Sequence, residues 1–480
     1  MVFWKLGYNG GVSDAQLREL LLERNHWWRD AEGWRRQDPY LREAATSPFD
    51  YRPEPLADID PPGLYVLTGP RRVGKSLELR RVIDRLLAAG VSTRNVIYCS
   101  CDTFSKQDLR RVFVVGRNLT RMAEGPRYWM VDEITAVQDW SAVIKELRDD
   151  TELHDDCLVL SGSSAREFRE ATKNLAGRRG GVVDSDRLLL PMTFPSFCRA
   201  IGVEGLPQVG RFAPGDLMTS NARAVYDELE VWSTDLIQAW ESYLLIGGFP
   251  RAVRDFVGHG DVQSDFVTDI WDVIRGEAIR TTSLSDAEML AFLSRVGETM
   301  TSRLNASAVA REVGLGNHHQ VNDRINDLFF AVLAWQVFQN KEGRPNTKAQ
   351  RKVYFTDPLI GRVAHHLNNR YFRPDDTRVS EQQVGLAIAR AIERQRRGSF
   401  LASDGVLYER TPTGNEIDFV GPDLGSPIES KYVTSGWKRE AQTAQAAYGR
   451  GILATRSIYD TSDDVWAVPA AVLAWVIDSA

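Results

Sequence analysis

Apolar and charged positions recur at helical spacing across residues 15–37, AQLRELLLERNHWWRDAEGWRRQ. The pattern predicts an amphipathic helix that runs into a segment rich in tryptophan and arginine, with Asp14 as its cap. A proline-punctuated stretch, SPFDYRPEPLADIDPPG, reads as a linker. From residue 63 to 192 short apolar runs alternate with helical patterns: LYVLTG, a helix to residue 89, NVIYCS, a helix, YWMVDE, a helix and CLVLSG. That alternation predicts a parallel sheet with helices on its faces. Residues 236–256 read as helix until the GGFP break, and 284–357 turn to helices followed by a short strand. Residues 380–480 give one helix, three strand-like runs, another helix and GILAT.

Composition adds bounds. At 480 residues, 43% hydrophobic and 26% charged, the chain is ordinary globular material with room for about three domains of roughly 150 residues. Its 59 basic and 65 acidic side chains leave a net charge of −6, which excludes a globally basic nucleic-acid coat but not a local basic groove. The four cysteines (Cys99, Cys101, Cys157, Cys198) form neither a disulfide framework nor a paired metal-ligand pattern, and read as reduced thiols. No run of ~18 apolar residues predicts a membrane helix, and the N-terminus lacks the layout of a signal peptide. The expectation is a cytoplasmic protein with no membrane partner.

The densest chemistry lies at Gly69-Pro70-Arg71-Arg72-Val73-Gly74-Lys75-Ser76-Leu77, which fits G-x-x-x-x-G-K-[ST] between an apolar strand and a helix. Gly69 and Gly74 let the backbone wrap round phosphates, Lys75 would reach the β- and γ-phosphates, and the Ser76 hydroxyl would ligate Mg²⁺. The helix that starts there adds its dipole to the anion site. Downstream, the strand at 127–133 ends in two carboxylates: Asp132 would hold Mg²⁺ and Glu133 would polarise the attacking water. A third strand ends in Ser161-Gly162-Ser163-Ser164, where Ser163 is the candidate γ-phosphate sensor, with an ordinary turn as the alternative.

Taken with VDEI-x₅-W, SGSS, Leu175-Ala176-Gly177-Arg178, the LPMTF run at 190–194 and Gly247-Gly248-Phe249-Pro250, this loop resembles one family over residues 15–450. That family is the prokaryotic AAA-type P-loop ATPases with a fused C-terminal nuclease-like domain. The resemblance implies an α/β protein with a P-loop (AAA/RecA-like) parallel-sheet core, a helical and winged-helix middle and a C-terminal restriction-endonuclease-like domain. It also implies an arginine completing the γ-phosphate site, from the same or a neighbouring subunit. Arg178 matches the family's Gly-Arg motif, with Arg179 beside it. The plain alternative is a surface arginine paired with an acidic face. The expected divisions are 1–60 (Trp-rich helical segment), 61–195 (ATPase core), 196–283 (helical lid or linker), 284–372 (winged helix) and 373–480 (nuclease-like).

Residues 305–313, Gly314-Leu-Gly316 and 318–330 read as helix, tight turn and helix, followed by a strand, a basic loop and a returning strand. Lys341, Arg344, Lys348, Arg351 and Lys352 are the candidate DNA-phosphate contacts; the second helix carries a mixed polar set, which leaves an intramolecular or protein-binding role open. The His318-His319 pair has no convergent metal-ligand spacing. Toward the end, Asp418 on one strand and Glu429-x-Lys431 on the next match the PD-(D/E)xK arrangement: Asp418 and Glu429 would share a metal, and Lys431 would activate water. A surface salt bridge is the simpler alternative. In the resembling ATPases a glutamate stands on the preceding helix where this chain has Gly385, and Glu381 lies one turn earlier.

The overall expectation is a Mg²⁺-dependent ATPase switch or motor acting on DNA, with a ring or dimer if Arg178 acts in trans. An ATP-gated nuclease and a low-turnover scaffold for a protein client are the competing readings. Trp27, Trp28 and Trp34 are expected to clamp against the ATPase core.

Overall fold

A computed structural model of the chain describes residues 12–150, 152–278 and 284–479. The start of the expected N-terminal segment and the expected boundary at 283 lie outside them. The chain divides into two units, the first ending at Leu189 and the second beginning at Leu190.

In the first unit five strands form one parallel sheet: β1 (Leu64–Thr68), β2 (Val96–Ser100), β3 (Tyr128–Asp132), β4 (Cys157–Gly162) and β5 (Asp186–Leu188), in the order β2-β3-β4-β1-β5. Every residue of β1 and β4 is buried, because helices on both faces leave no side for polar residues to alternate onto. Helices Lys75–Ala88 and Lys106–Leu119 each bury an apolar stripe against it, through Leu79, Val82 and Ile83 in one and Leu109, Val112 and Phe113 in the other.

The N-terminal segment closes the sheet's β2 edge, and here the sequence expectation needs correcting. The amphipathic helix is Asp14–Arg24, and the tryptophan- and arginine-rich segment after it is a tight turn at His26–Trp28 and a short helix Trp34–Gln37. Its cap is Ser13, which exchanges hydrogen bonds with Gln16; Asp14 is the first helical residue, where its charge meets the positive end of the dipole. The helix stops so that Asn25 can act as an extra strand residue. Asn25 Oδ1 accepts from Tyr98 N at 2.7 Å while its Nδ2 donates to Tyr98 O at 3.0 Å. The indole N–H groups of Trp27 and Trp28 both donate to Val96 O at 2.9 Å. Backbone groups that an edge strand leaves open are thereby satisfied.

The second unit opens with helices and ends in a mixed sheet. The pair Ala306–Glu312 and His318–Phe330, joined through Gly314 at φ +75°, leads into β6 (Ala334–Lys341), β7 (Arg344–Asn346) and β8 (Lys352–Phe355). Five more strands follow: β9 (Leu407–Arg410), β10 (Glu416–Val420), β11 (Ile428–Ser430), β12 (Gly451–Thr455) and β13 (Val465–Pro469). The expected division at residue 372 is not a structural break. β6 pairs with β8 and β7 along one edge and with β9 in parallel at Phe338 and Gln339, so one eight-stranded sheet runs through both segments.

Helix Asp376–Gln395 is the axis of this unit, buried at every position from Val379 to Glu393. Several of its polar residues are held by partners off the helix. Arg390 pairs with Asp478 at 3.1 Å, Ser380 Oγ accepts from Trp240 Nε1 at 3.3 Å, and Glu393 accepts the amides of Gly398 and Phe400, each at 2.8 Å. The two sequence runs at 190–194 and 247–250 meet: Met192 N donates to Gly248 O at 2.7 Å, and Gly248 N donates to Asp357 Oδ2 at 2.7 Å. Gly247 adopts φ +82°, and a Cβ there would lie 2.1 Å from Asp357 Oδ1. Replacing Gly247 with Ala is expected to lower stability by about 2–3 kcal/mol, from left-handed strain plus overpacking. Thermal unfolding at matched pH checks this, and an unchanged midpoint would contradict it.

Candidate nucleotide site and a buried charge cluster

Register places the chemistry of the first unit at one edge. Pairings Thr68↔Gly162 and Ser100↔Asp132 align the C-terminal ends of β1, β4, β2 and β3. The loop after β1 and the carboxylates after β3 are therefore two strand spacings apart across β4, about 10 Å. Loops beyond the C-terminal ends of parallel strands are where such sheets bind ligands.

The loop wraps as its sequence predicts. Gly74 takes φ +106°, and a Cβ there would meet no atom within 4 Å, so the backbone faces open space. Gly69 is glycine for the opposite reason: a Cβ would sit 2.1 Å from Leu189 O. Val73 is buried and pins the loop, while Arg71 and Arg72 are exposed at its rim and Pro70 is buried. Helix Lys75–Ala88 starts with no side chain capping its first turn, which leaves amides pointing outward at the positive end of the dipole. Lys75 Nζ donates to Gly69 O at 2.9 Å and Pro70 O at 3.0 Å, curled over its own loop. Ser76 and Leu77 begin the helix, half-buried. An open glycine cradle, uncapped amides, an ammonium and a hydroxyl fit a triphosphate with its Mg²⁺.

Asp132 is held on both oxygens. Tyr98 Oη donates to Oδ2 at 3.1 Å and Ser161 Oγ donates to Oδ1. Tyr98 is itself fixed by Asn25 and by the Arg80 guanidinium, 3.4 Å from the ring centroid; Arg80 forms a buried pair with Asp38 at 2.8 Å. Glu133 takes a left-handed backbone (φ +51°), and its N–H donates to Ser161 Oγ at 3.4 Å. Burial raises the Glu133 carboxyl above its ordinary value; Lys75 and Arg71 pull it back and Asp132 pushes it up. Ser163 is buried and accepts from Arg71 Nε at 3.4 Å.

Arg178 is not brought to this edge. Its guanidinium makes a two-point pair with Asp149, both contacts at 2.7 Å, and Arg179 pairs with Asp186 at 2.8 Å. The neighbouring Arg179 O accepts from Leu64 N at the opposite end of β1. Five residues of strand, about 16 Å, separate that end from the loop of the same chain. Sequence reasoning missed Tyr98, Asn25 and the bond from Ser161 to Asp132; for Tyr98 and Ser161 the available signal was a polar residue near the C-terminal end of each strand flanking Asp132, and Asn25, outside the strands, carried none.

In the second unit Asp418, Glu429 and Lys431 do converge. Lys431 Nζ lies 3.4 Å from Asp418 Oδ2 and 3.9 Å from Glu429 Oε2, and Ser430 N donates to Asp418 Oδ2 at 3.0 Å. Glu429 Oε1 is buried with no hydrogen-bond partner. One expectation fails here. Lys352 is not an exposed phosphate contact but has a side chain 0% exposed, with Nζ 2.9 Å from Asp418 Oδ1, 2.9 Å from Glu416 Oε1 and 3.4 Å from Glu381 Oε1. All four residues of β8 are buried, and pairing of Lys352 with Val337 turns it inward. Arg351 is also partly withdrawn, donating to Asn322 Oδ1 at 2.9 Å, whereas Lys341, Arg344 and Lys348 are exposed.

Burial opposes the Lys352 charge, but Asp418, Glu381 and Glu416 outweigh it and hold the ammonium well above its usual range. Burial would likewise raise Asp418, yet Lys352 and Lys431 bring it down to about 2. Glu381, which also accepts from Tyr354 Oη at 2.6 Å, is pushed up to about 7 by burial and by Asp418, as is Glu429 by burial. At Gly385 a Cβ would come within 2.5 Å of the Phe419 ring and 3.0 Å of Trp335. Among the described residues no group of three or more His, Cys, Asp or Glu is arranged to hold a metal ion.

Residues 62–198 match the AAA domain family. An uncharacterized protein of Haemophilus influenzae is 23% identical over 313 residues, covering 63% of this chain and 69% of its own. The chain is also similar to the Walker-type ATPase of Pyrococcus abyssi, at 15% identity and a TM-score of 0.38 over 70% of this chain and 95% of that one. A weaker likeness is to the ORC1 protein of Aeropyrum pernix in complex with DNA, at 14% identity and 0.28 over 72% and 96%. Residues 62–198, with their parallel strands, glycine loop and acidic strand end, form an AAA-type P-loop ATPase domain. No helix among the described residues is long and apolar enough to cross a membrane.

A raised Glu133 carboxyl sets a pH dependence. A Glu133 acting as general base would have to be ionised, so turnover that depends on it should fall with acid through a midpoint above the ~4.3 of an ordinary glutamate. Arg71→Ala removes a positive neighbour and should move that midpoint to higher pH still. Single-turnover hydrolysis at saturating nucleotide checks both, and a shift to lower pH would contradict the assignment.

Proposed function

We propose that this chain is a Mg²⁺-dependent ATPase that works as a switch or motor, hydrolysing ATP at residues 69–77 and passing its nucleotide state to the second unit, with DNA as the partner. The observation that carries the reading is the alignment of the glycine loop, Asp132-Glu133 and Ser161–Ser163 at one edge of the sheet. Loop amides from Gly69 to Leu77 cradle the phosphates, and Lys75 leaves the Gly69 and Pro70 carbonyls for the β- and γ-phosphates. Ser76 and Asp132 would hold Mg²⁺, which when bound neutralises charge on the phosphate oxygens. Tyr98 and Ser161 orient Asp132, so little reorganisation is needed on binding. Glu133 accepts the proton of the attacking water, while Ser163, steered by Arg71, senses the γ-phosphate. Arg178 serves only from a second copy, since its own loop is out of reach. Gly69 lies against Leu189, the residue before the second unit begins, which gives the loop a covalent neighbour through which to act.

Two features of the second unit support the modules. The helix–turn–helix followed by β6–β8 supports a winged helix whose exposed Lys341, Arg344 and Lys348 meet DNA phosphates. Helix Asp376–Gln395 followed by antiparallel β9-β10-β11 and parallel β12 supports a nuclease-like fold.

Lys75→Ala is expected to abolish MgATP binding, measured by fluorescent-nucleotide titration. Glu133→Gln should keep binding but lose at least about 100-fold in turnover; undiminished turnover would leave the scaffold reading in its place. With Lys341, Arg344 and Lys348 all changed to Ala, DNA affinity should drop and the salt dependence of log K should lose up to about three phosphate contacts' worth of slope. Equal salt slopes would shift the partner to a protein client.

A further inference from the structure

We infer that Lys352 is a built-in cation standing where the nuclease-like fold would take a divalent metal, so that this centre is a fixed ionic joint and cleaves nothing. The inference rests on the nuclease-like reading of β9–β11 for what the lysine replaces; it does not depend on the ATPase.

The geometry accounts for every charge-bearing donor. Lys352 Nζ donates to Asp418 Oδ1 at 2.9 Å and to Glu381 Oε1 at 3.4 Å, and forms a third ion pair with Glu416 Oε1 at 2.9 Å. The other oxygen of Asp418 is taken by Ser430 N at 3.0 Å and Lys431 Nζ at 3.4 Å. What excludes a metal here is charge: with one ammonium 2.9 Å from Asp418 Oδ1 and a second 3.4 Å from Oδ2, a divalent cation at ligand distance, about 2.0–2.6 Å, would be driven off by two like charges. Carboxylates gathered in a buried site demand a positive charge; without one, mutual repulsion and lost hydration would be prohibitive. Lys352 supplies that charge from a strand whose backbone is fixed by its pairing with Val337.

The remaining approach is closed as well. On the helix face toward this centre Gly385 admits no side chain, since even a Cβ there would meet the Phe419 ring at 2.5 Å. Glu381, one turn earlier, is tied to Lys352 and to Tyr354 Oη. Three segments far apart in sequence are thereby fastened at one point: β8, helix Asp376–Gln395 and β10.

The test uses the full chain, free of nucleotide, in an Asp132→Asn background so that only the second unit's centre can report. Mn²⁺ binding is followed by electron paramagnetic resonance, with Mn²⁺ as the probe. With Lys352 present, no Mn²⁺ site that depends on Asp418 is expected. Lys352→Met empties the cation position and should tighten Mn²⁺ binding at least tenfold, with Asp418→Asn removing the gain. If Lys352→Met fails to fold, the double change Lys352→Met with Asp418→Asn, which removes opposite charges together, should fold and take up no Mn²⁺. A site at wild-type Lys352 that Asp418→Asn abolishes, or Mn²⁺-dependent DNA cleavage lost in Asp418→Asn, would overturn the inference. A folded Lys352→Met with no gain in Mn²⁺ would overturn it too, and would count against the nuclease-like reading while leaving the ATPase untouched.

Discussion

The parallel hydrogen-bond register of β1, β4 and β3 is the constraint on which the first unit depends. Because Leu67 stands opposite Ser161 and Val131 opposite Leu160, the ends of these strands cannot slide without breaking a buried ladder. That ladder carries the glycine loop, the serines and the acidic pair to one edge. A carboxylate there needs only local hydrogen bonds to be aimed, and Asp132 receives one on each oxygen. The left-handed backbone at Glu133 is a strain the same ladder tolerates, since the residue before it is locked in β3.

The second unit is organised by charge compensation rather than by strand ends. Its axial helix carries charged side chains through a buried path, and these are met by partners: Arg390 by Asp478 and Glu381 by Lys352 and Tyr354, all distant in sequence, and Glu393 by the nearby turn at 398–400. Removing one partner from such a pair leaves a charge without solvent or counter-ion, a far larger loss than the pair's own net contribution. This helps explain why a sheet assembled from two segments of the chain, 334–355 and 407–469, behaves as one body.

What could be read from the chain in advance divides along the range of the interactions. The glycine loop was legible because its function is written in nine consecutive residues whose backbone conformation is local. Asp132 and Glu133 were legible as a strand end. Tyr98 and Ser161 were not, because each gains its meaning only from the register of a neighbouring strand. Lys352 was misread for the same reason: in the run KAQRKVYF it looks like one more basic residue of an exposed loop, and only pairing with β6 turns it inward to Asp418, 66 positions away. Where the N-terminal helix ends was not legible, because Asn25 leaves helical geometry for a strand that lies 73 residues further on.

That strand edge has a corollary for how the ATPase portion can be cut out. The family match begins at residue 62, yet the clasp on β2 is formed by Asn25, Trp27 and Trp28, and the counter-ion of buried Arg80 is Asp38. A fragment starting at the homology boundary would strip the sheet of its border and leave Arg80 uncompensated against Tyr98, loosening the hydroxyl that aims Asp132. The matched segment is thus not self-sufficient: residues 25–38 border its sheet and reach, through Tyr98, the carboxylate of Asp132.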